Sequence, residues 1–241
     1  MAAARRADFT TNTVMKSPVT WLLIIVNVAL YIVVSVQGGT FLHAAVDSQL
    51  LNDTVLVPYM LGFGEYWRLL TSGFMHFGLL HIAFNMYALW ALGRALEIFL
   101  GRARYIAAYA LSALAGGVVY VAMASPGSDG TVLPYWGQGV LGASGAIFGL
   151  FGVLLVVQRK LGMSNRSLWV VLALNFGLAF FFPGIAWQAH VGGFLAGLAS
   201  GWIFFDDANR VSRGSRPATW RRMGVLTLVF LAIAVVKYLL V

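Results

Sequence analysis

Residues Val140–Val157 read VLGASGAIFGLFGVLLVV. No ionisable residue interrupts them, and their length is close to the ~20 residues that cross a ~30 Å hydrocarbon layer. The stretch is apolar all round, as expected of a helix that faces lipid and other helices at once. It nonetheless carries Ser144, framed by Gly142 and Gly145. A hydroxyl between glycines, at the head of a membrane-length segment, sets both the fold class and the chemical question.

The rest of the chain agrees with a membrane reading. It has 241 residues, of which 60% are apolar and 10% charged, against about 25% charged in a soluble domain. Six more apolar segments flank the first: Val19–Val36, Phe77–Leu96, Ala103–Ala124, Leu168–Phe182, Trp187–Phe205 and Met223–Val241. The expected fold class is therefore an all-α polytopic membrane protein with seven spans. Ser17-Pro18 reads as a helix opening, a capping hydroxyl followed by a proline whose missing N–H costs nothing there. The first span is too long for a cleaved signal peptide and lacks a small-residue cleavage site. With no cysteine, disulfides and thiolate metal sites are excluded.

Charge orients the spans. Arg5, Arg6 and Lys16; Arg94, Arg102 and Arg104; Arg159, Lys160 and Arg166; and Arg210, Arg213, Arg216, Arg221 and Arg222 fall on one side, 14 of the 16 basic residues. Arg68 and Lys237 fall on the other. Cytoplasmic loops hold the excess of Lys and Arg, so the expected N-terminus is cytoplasmic and the C-terminus outside. The net charge of +8 is spread over four short loops. It forms no continuous basic stripe with stacking aromatics, so nucleic acid is not an expected partner and the lipid bilayer is. The first outer connection, Gln37–Met75, is long and too apolar for a disordered loop, and reads as a semi-buried interfacial element.

Most polar residues in the spans have structural explanations. Asn27 and Asn175 can bond to neighbouring helices, and Ser112 and Ser200 to their own backbone. Strongly polar or ionisable groups are functional by default there: His76, His81, Asn85, Ser144 and His190. All fall in the outer halves of their spans. His81 and Asn85, four apart, share a helix face, whereas His76, five before His81, is expected to point elsewhere. The unpaired N–H groups where the Ser144 helix begins suit an oxyanion. Gly145 with Gly149, and Gly193 with Gly197, are small-xxx-small pairs that let two helices pack closely. That packing would bring Ser144 to His190, which could act as general base and acid. Apart from Glu97 at the inner end of the second span, no carboxylate is available for a triad. Phe148, one turn after Ser144, could stack on His190 and orient it instead. Glycine–serine clusters are also common packing sites, and a lone buried histidine can be structural; the pair is what points to nucleophilic chemistry.

Other chemistries lack their residues. The H-E-x-x-H zinc signature is absent, and His76, His81 and His190 are poorly spaced as ligands with no acid beside them, so no metal or cofactor is expected. There is no pair of intramembrane aspartates. The soluble hydrolase elbow G-x-S-x-G fails at Ala146. A transporter or channel would need a polar path to the inner face or an inverted repeat, and neither is visible.

Trp67-Arg68, HFGLLHIAFN with His76, His81 and Asn85, GASGAIFG around Ser144 and AHVGGFLAG around His190 together resemble the rhomboid intramembrane serine proteases. The resemblance implies a six-helix core with a C-terminal seventh helix. The corresponding divisions are a short cytoplasmic N-terminus (1–16), a catalytic core (17–205), a basic cytoplasmic loop (206–222) and the seventh transmembrane helix (223–241). It implies Ser144 as nucleophile, His190 as general base, and His81, Asn85 and the Ser144 backbone N–H as the oxyanion site. Phe148, Gly142, Gly145, His76, Trp67, Arg68 and Glu97 would be supports. The implied substrates are single-pass or polytopic membrane proteins, cut in or next to a transmembrane segment, and entering near the second and fifth spans. The fifth ends in Phe180-Phe181-Phe182 and Pro183-Gly184, which reads as an aromatic interfacial belt. The six-plus-one arrangement points to a bacterial inner or plasma membrane. The family commonly has tyrosine where this chain has Phe148. The alternative reading is a catalytically inactive relative that binds transmembrane segments.

Overall fold

The computed structural model describes residues 16–43, 45–125, 136–182 and 184–240, and not the side chains of 179 and 180. The proposed N-terminal segment up to residue 15, Pro183 and the Phe180 ring lie outside that description. The long helices are α1 (Pro18–Gln37), α4 (Leu79–Leu100), α5 (Arg102–Met123), α6 (Ser144–Lys160), α7 (Arg166–Phe181), α8 (Trp187–Ser212) and α9 (Thr219–Leu239). Between α1 and α4 lie two short helices, α2 (Gln49–Thr54) and α3 (Arg68–Thr71), and two 3₁₀ turns, Pro58–Phe63 and Ser72–Phe74. The fold is an all-α polytopic membrane protein.

By length and composition α1, α4, α5 and α9 are able to cross a membrane. Helix α6 has 17 residues, about 25 Å at 1.5 Å per residue, which is short of the hydrocarbon thickness. It begins at Ser144 rather than at Val140. Leu56 N–H donates to the Val140 carbonyl at 3.1 Å, and Val140 N–H to the Leu56 carbonyl at 2.8 Å. That lone antiparallel bridge holds the chain extended before α6. Non-helical backbone is tolerated at membrane depth only where protein covers it, and here the α1–α4 connection supplies the cover.

Central α6 packs against α5 on one side and α8 on another, with α7 flanking it through Phe148, Leu155, Leu168 and Leu172. Helix α1 packs on α4, and α9 on α5 and α8. Exposed Leu22, Ile25 and Ile32 of α1, Leu174 and Leu178 of α7 and Leu228 and Val235 of α9 form the outward surface, an apolar coat that lipid would cover. Helices α4, α6 and α8 begin at one face of the bundle; α1, α5 and α9 begin at the opposite face.

Three local expectations change. Ser17 makes no side-chain cap to α1; the Glu97 carboxylate does so from α4, accepting from Val19 N–H at 3.0 Å, Thr20 N–H at 2.7 Å and the Thr20 hydroxyl at 2.8 Å. A buried anion at a helix N-terminus satisfies orphan donors and the positive dipole end together. The Asn27 and Asn175 amides each bond their own helix four residues back, to Leu23 and Val171 carbonyls at 2.8 Å, while Asn27 also reaches the Tyr109 hydroxyl of α5. The back-bond is available within the same turn and needs no partner helix. Ser200 does the same to Ala196, at 2.8 Å. Ser112 does not, its hydroxyl having no partner among the described residues.

Candidate active site

Glycine brings the serine and the histidine together. A methyl on Gly193 would collide with the Gly145 carbonyl, and one on Gly197 with that of Gly149. Helix α5 joins the same contact: a methyl on Gly116 would lie 2.9 Å from the Ala189 carbonyl, and one on Gly149 would run into Ser112. Only hydrogen at these positions lets the three backbones approach so closely. Sequence reasoning found the α6 and α8 pairs but not the contribution of α5. Its signal is the set of small residues Ala113, Ala115, Gly116 and Gly117, which does not stand out within an apolar span.

Ser144 is the first residue of α6 and His190 lies one turn into α8. Ser144 Oγ and His190 Nε2 are 3.0 Å apart. With a neutral imidazole the hydroxyl donates, Nε2 accepts, and the ring proton resides on Nδ1. Nδ1 is buried and has no partner among the described residues, so no carboxylate orients the ring. The Phe148 ring stacks on it instead: the ring centroids are 4.1 Å apart and the planes 7° from parallel. Phe176 of α7 meets Phe148 edge-on at 5.1 Å and His190 at 6.4 Å. Sequence reasoning missed Phe176, because nothing in α7 marks one face of an all-apolar helix.

His81 approaches from α4. Its Nδ1 accepts from Phe77 N–H at 3.3 Å, which places the ring proton on Nε2. A methyl on Gly142 would stand 2.9 Å from that Nε2 and 3.6 Å from Ser144 Oγ, so both atoms border one small space. Gly142 has φ 129°, a conformation natural to glycine alone, and its N–H is tied to the Ser72 carbonyl at 3.0 Å. The start of α6 has no side-chain cap, so its first amides lack intrahelical partners. Asn85 donates to the His81 carbonyl at 2.9 Å, which uses one of its two N–H bonds.

His76 does not point away from His81. The rings meet edge-on with centroids 5.1 Å apart. The helical five-residue offset does not apply, because α4 begins only at Leu79 and His76 precedes it in extended chain. Trp67 and Arg68 sit away from Ser144, within the α1–α4 connection. Trp67 Nε1 donates to the Asp53 carbonyl at 3.0 Å. Buried Arg68 pairs with Glu65 and donates to the Asn52 and Val55 carbonyls at 2.6 and 2.8 Å. Val55 directly precedes the Leu56–Val140 bridge, so these bonds stiffen the cover over α6. Glu97 lies at the opposite face.

Helices of this length, coated with apolar side chains and converging on a buried hydroxyl–imidazole pair, define a polytopic integral membrane protein with hydrolase-like geometry. Residues 63–207 match the family model described as the Rhomboid domain, and the chain belongs to the rhomboid family. It is 29% identical over 197 residues to the Rhomboid protease GluP of Bacillus subtilis, a match covering 76% of this chain and 34% of that protein. It is 32% identical over 199 residues to the Rhomboid protease GlpG of Salmonella paratyphi A, covering 77% of this chain and 63% of the relative. With the RHOMBOID-like protein 5 of Arabidopsis thaliana it shares 34% over 147 residues, 58% of this chain and 44% of that one. The chain thus spans less than two thirds of the length of each.

Proposed function

We propose that this chain is an intramembrane serine endopeptidase that cuts membrane-protein substrates in or beside a transmembrane segment. The reading rests on one observation above others: the Ser144 hydroxyl lies 3.0 Å from His190 Nε2, at the uncapped start of a helix. As Ser144 Oγ forms its bond to the scissile carbonyl carbon, its proton passes to His190 Nε2. Charge then develops on the carbonyl oxygen. The N–H of Ser144, Nε2–H of His81 and the remaining amide N–H of Asn85 are the donors assigned to it. Collapse breaks the C–N bond, and the leaving amine takes the proton from His190. Water repeats the sequence on the acyl-enzyme and frees Ser144. The substrate helix must unwind locally, because a helical amide is hydrogen-bonded and shielded.

In this reading residues 17–205 are the catalytic core, 206–222 a basic cytoplasmic stretch that holds the end of α8 and the start of α9, and 223–241 a seventh span. The face where α6 and α8 begin is external, and the arginine-rich face is cytoplasmic. A bacterial inner membrane suits that arrangement. Single-pass or polytopic membrane proteins are the substrates, entering beside α4 and α7.

The test is cleavage of a single-span reporter co-reconstituted in liposomes by wild type, Ser144→Ala and His190→Ala. Hydrolysis by wild type and its loss in both variants is the expected result. Hydrolysis that persists in Ser144→Ala would remove the serine mechanism. Retained reporter binding without cleavage, across a series of reporter spans, would identify an inactive binder of transmembrane segments instead.

A further inference from the structure

At the face opposite Ser144, the turn between α4 and α5 and the segment between α8 and α9 enclose a cavity of about 720 Å³. That volume falls within the ~300–1,000 Å³ typical of small-molecule sites. Its walls include Arg102, Arg104, Arg210, Arg216, Arg221 and Trp220. Among the described residues none of these arginines is in an ion pair, since the two pairs present are Arg68–Glu65 and Arg222–Asp206. Arg104 lies over the Phe204 ring at 5.9 Å, and Arg210 Nε is buried without a partner. The acids at the end of α8 already have partners: Asp206 pairs with Arg222, and Asp207 accepts from the Ala218 and Thr219 N–H groups at 2.7 and 3.1 Å and feels the charge of Arg104, so Arg102, Arg210, Arg216 and Arg221 are the cations left to a ligand.

The backbone adds donors. Helix α5 starts at Arg102 with no side-chain cap, so its first N–H groups and the positive end of a 22-residue helix border the same cavity. A multiply charged anion with several acceptor oxygens satisfies all of these groups together. A carboxylate brings less charge and fewer oxygens than the remaining four guanidinium groups can use. Exposed Trp220 and Trp202 stand at the same end of the bundle, the position aromatic side chains take at headgroup level.

We propose that this cavity binds a phosphate group, carried either by the headgroup of an anionic phospholipid or by a soluble phosphate. Basic pockets between membrane helices are suited to such headgroups, and here the pocket is closed by α9. An occupied site therefore ties α9 to the α4–α5 turn. The proposal does not depend on the role assigned to Ser144.

The test replaces exposed Arg102, Arg216 and Arg221 together by glutamine, leaving the packed Arg104 and Arg210 in place. A control triple, Arg159→Gln, Lys160→Gln and Arg166→Gln, removes the same charge elsewhere on that face. Native mass spectrometry of the full chain, titrated with phosphatidylglycerol or phosphatidylcholine, counts bound lipid. Thermal unfolding with inorganic phosphate, against chloride at equal ionic strength, tests the soluble source. For the lipid source, phosphatidylglycerol binding falls on the order of a hundredfold in the cavity triple, at about 1 kcal/mol per basic residue. It holds in the control, and phosphatidylcholine binding is unchanged. For the soluble source, phosphate raises the melting temperature of wild type and control but not of the cavity triple, with no preference for phosphatidylglycerol. Equal loss in both triples, or no response to either probe, overturns the proposal. Matching elution profiles and helical circular dichroism check that the triples fold.

Discussion

The two ends of the bundle treat the same physical object, the start of a helix, in opposite ways. At the face where α1, α5 and α9 begin, buried carboxylates fill two of the three helix ends: Glu97 takes the first N–H groups of α1 and Asp207 those of α9, and only α5 starts without a side-chain cap. At the face where α6 begins, no side chain among the described residues bonds the first amides of the helix, and Gly142 and the His81 ring stand beside Ser144 at its first turn. A filled helix end gives stability and no chemistry. An open one leaves donors aimed at a place where negative charge could develop. The comparison separates a residue that holds the fold from one that would act, although both kinds are buried polar groups in a membrane protein.

Substitutions at the two ends should therefore separate stability from catalysis. The largest stability effect is expected for Glu97→Ala, which strands three donors and should cost about 3 kcal/mol. Unfolding in mixed micelles would measure it, with hydrolysis per folded molecule unchanged. His81→Ala should do the reverse: roughly a hundredfold lower kcat, about 2.7 kcal/mol of transition-state stabilisation, with little change in unfolding. If His81→Ala lowers stability as much as Glu97→Ala while kcat per folded molecule holds, the open end is structural and the comparison fails. Gly193→Ala tests what holds the open end together. Its methyl meets the Gly145 carbonyl, and overpacking of this kind costs about 1–3 kcal/mol. Because the push separates α6 from α8, kcat should fall by more than stability accounts for.

Much of this was legible in the sequence, for identifiable reasons. Membrane helices announce themselves by length and composition, and the glycine pairs on α6 and α8 lie at the spacing that close packing demands. Phe148 was placed on His190 from its position one turn after Ser144, and the rings do stack. What stayed hidden depends on structure between or beyond regular helices. Helical spacing misdirects His76 because the residues before α4 are not helical. Local sequence points to the adjacent Ser17 as the cap of α1, whereas the cap comes from Glu97, 77 residues from Thr20. A distant carboxylate reaching a helix end leaves no local pattern. Asp206 and Asp207 likewise read as the edge of a loop, yet α8 continues through them to Ser212. At the far end of α9, the Tyr238 hydroxyl donates to the Pro58 carbonyl, a tie between remote segments that periodicity does not carry.

Two smaller effects sharpen the contrast. Phe148→Leu removes the stacked ring while keeping an apolar side chain. The loss of about 1 kcal/mol of ring–ring interaction should lower kcat several-fold, and Phe148→Tyr should retain the rate. A pH profile of kcat shared by wild type and Phe148→Leu, with no change in rate, would mean that the stack does not position His190.

The subtlest effect belongs to Asp207, two residues beyond the apolar part of α8, and acid removes it. Burial draws its carboxyl upward, but the Thr219 hydroxyl, the N–H groups of Ala218 and Thr219 and the charge of Arg104 outweigh that and hold it below its ordinary value of 3.8. The folded state therefore binds this proton less readily than the unfolded one. The stabilisation is fully present above the unfolded value, fades as the pH falls below about 4, and is gone once the pH passes below the depressed folded value. Asp207→Asn should be less stable than wild type at neutral pH, and the gap should close in acid. Because Asp207 caps α9 alone, the loss should show first as hydrogen exchange in the first turn of α9, with α6 and α8 still protected. Exchange that rises together in α6, α8 and α9 as the pH falls would mean that the two ends are one cooperative unit, and that the filled end supports the open one directly.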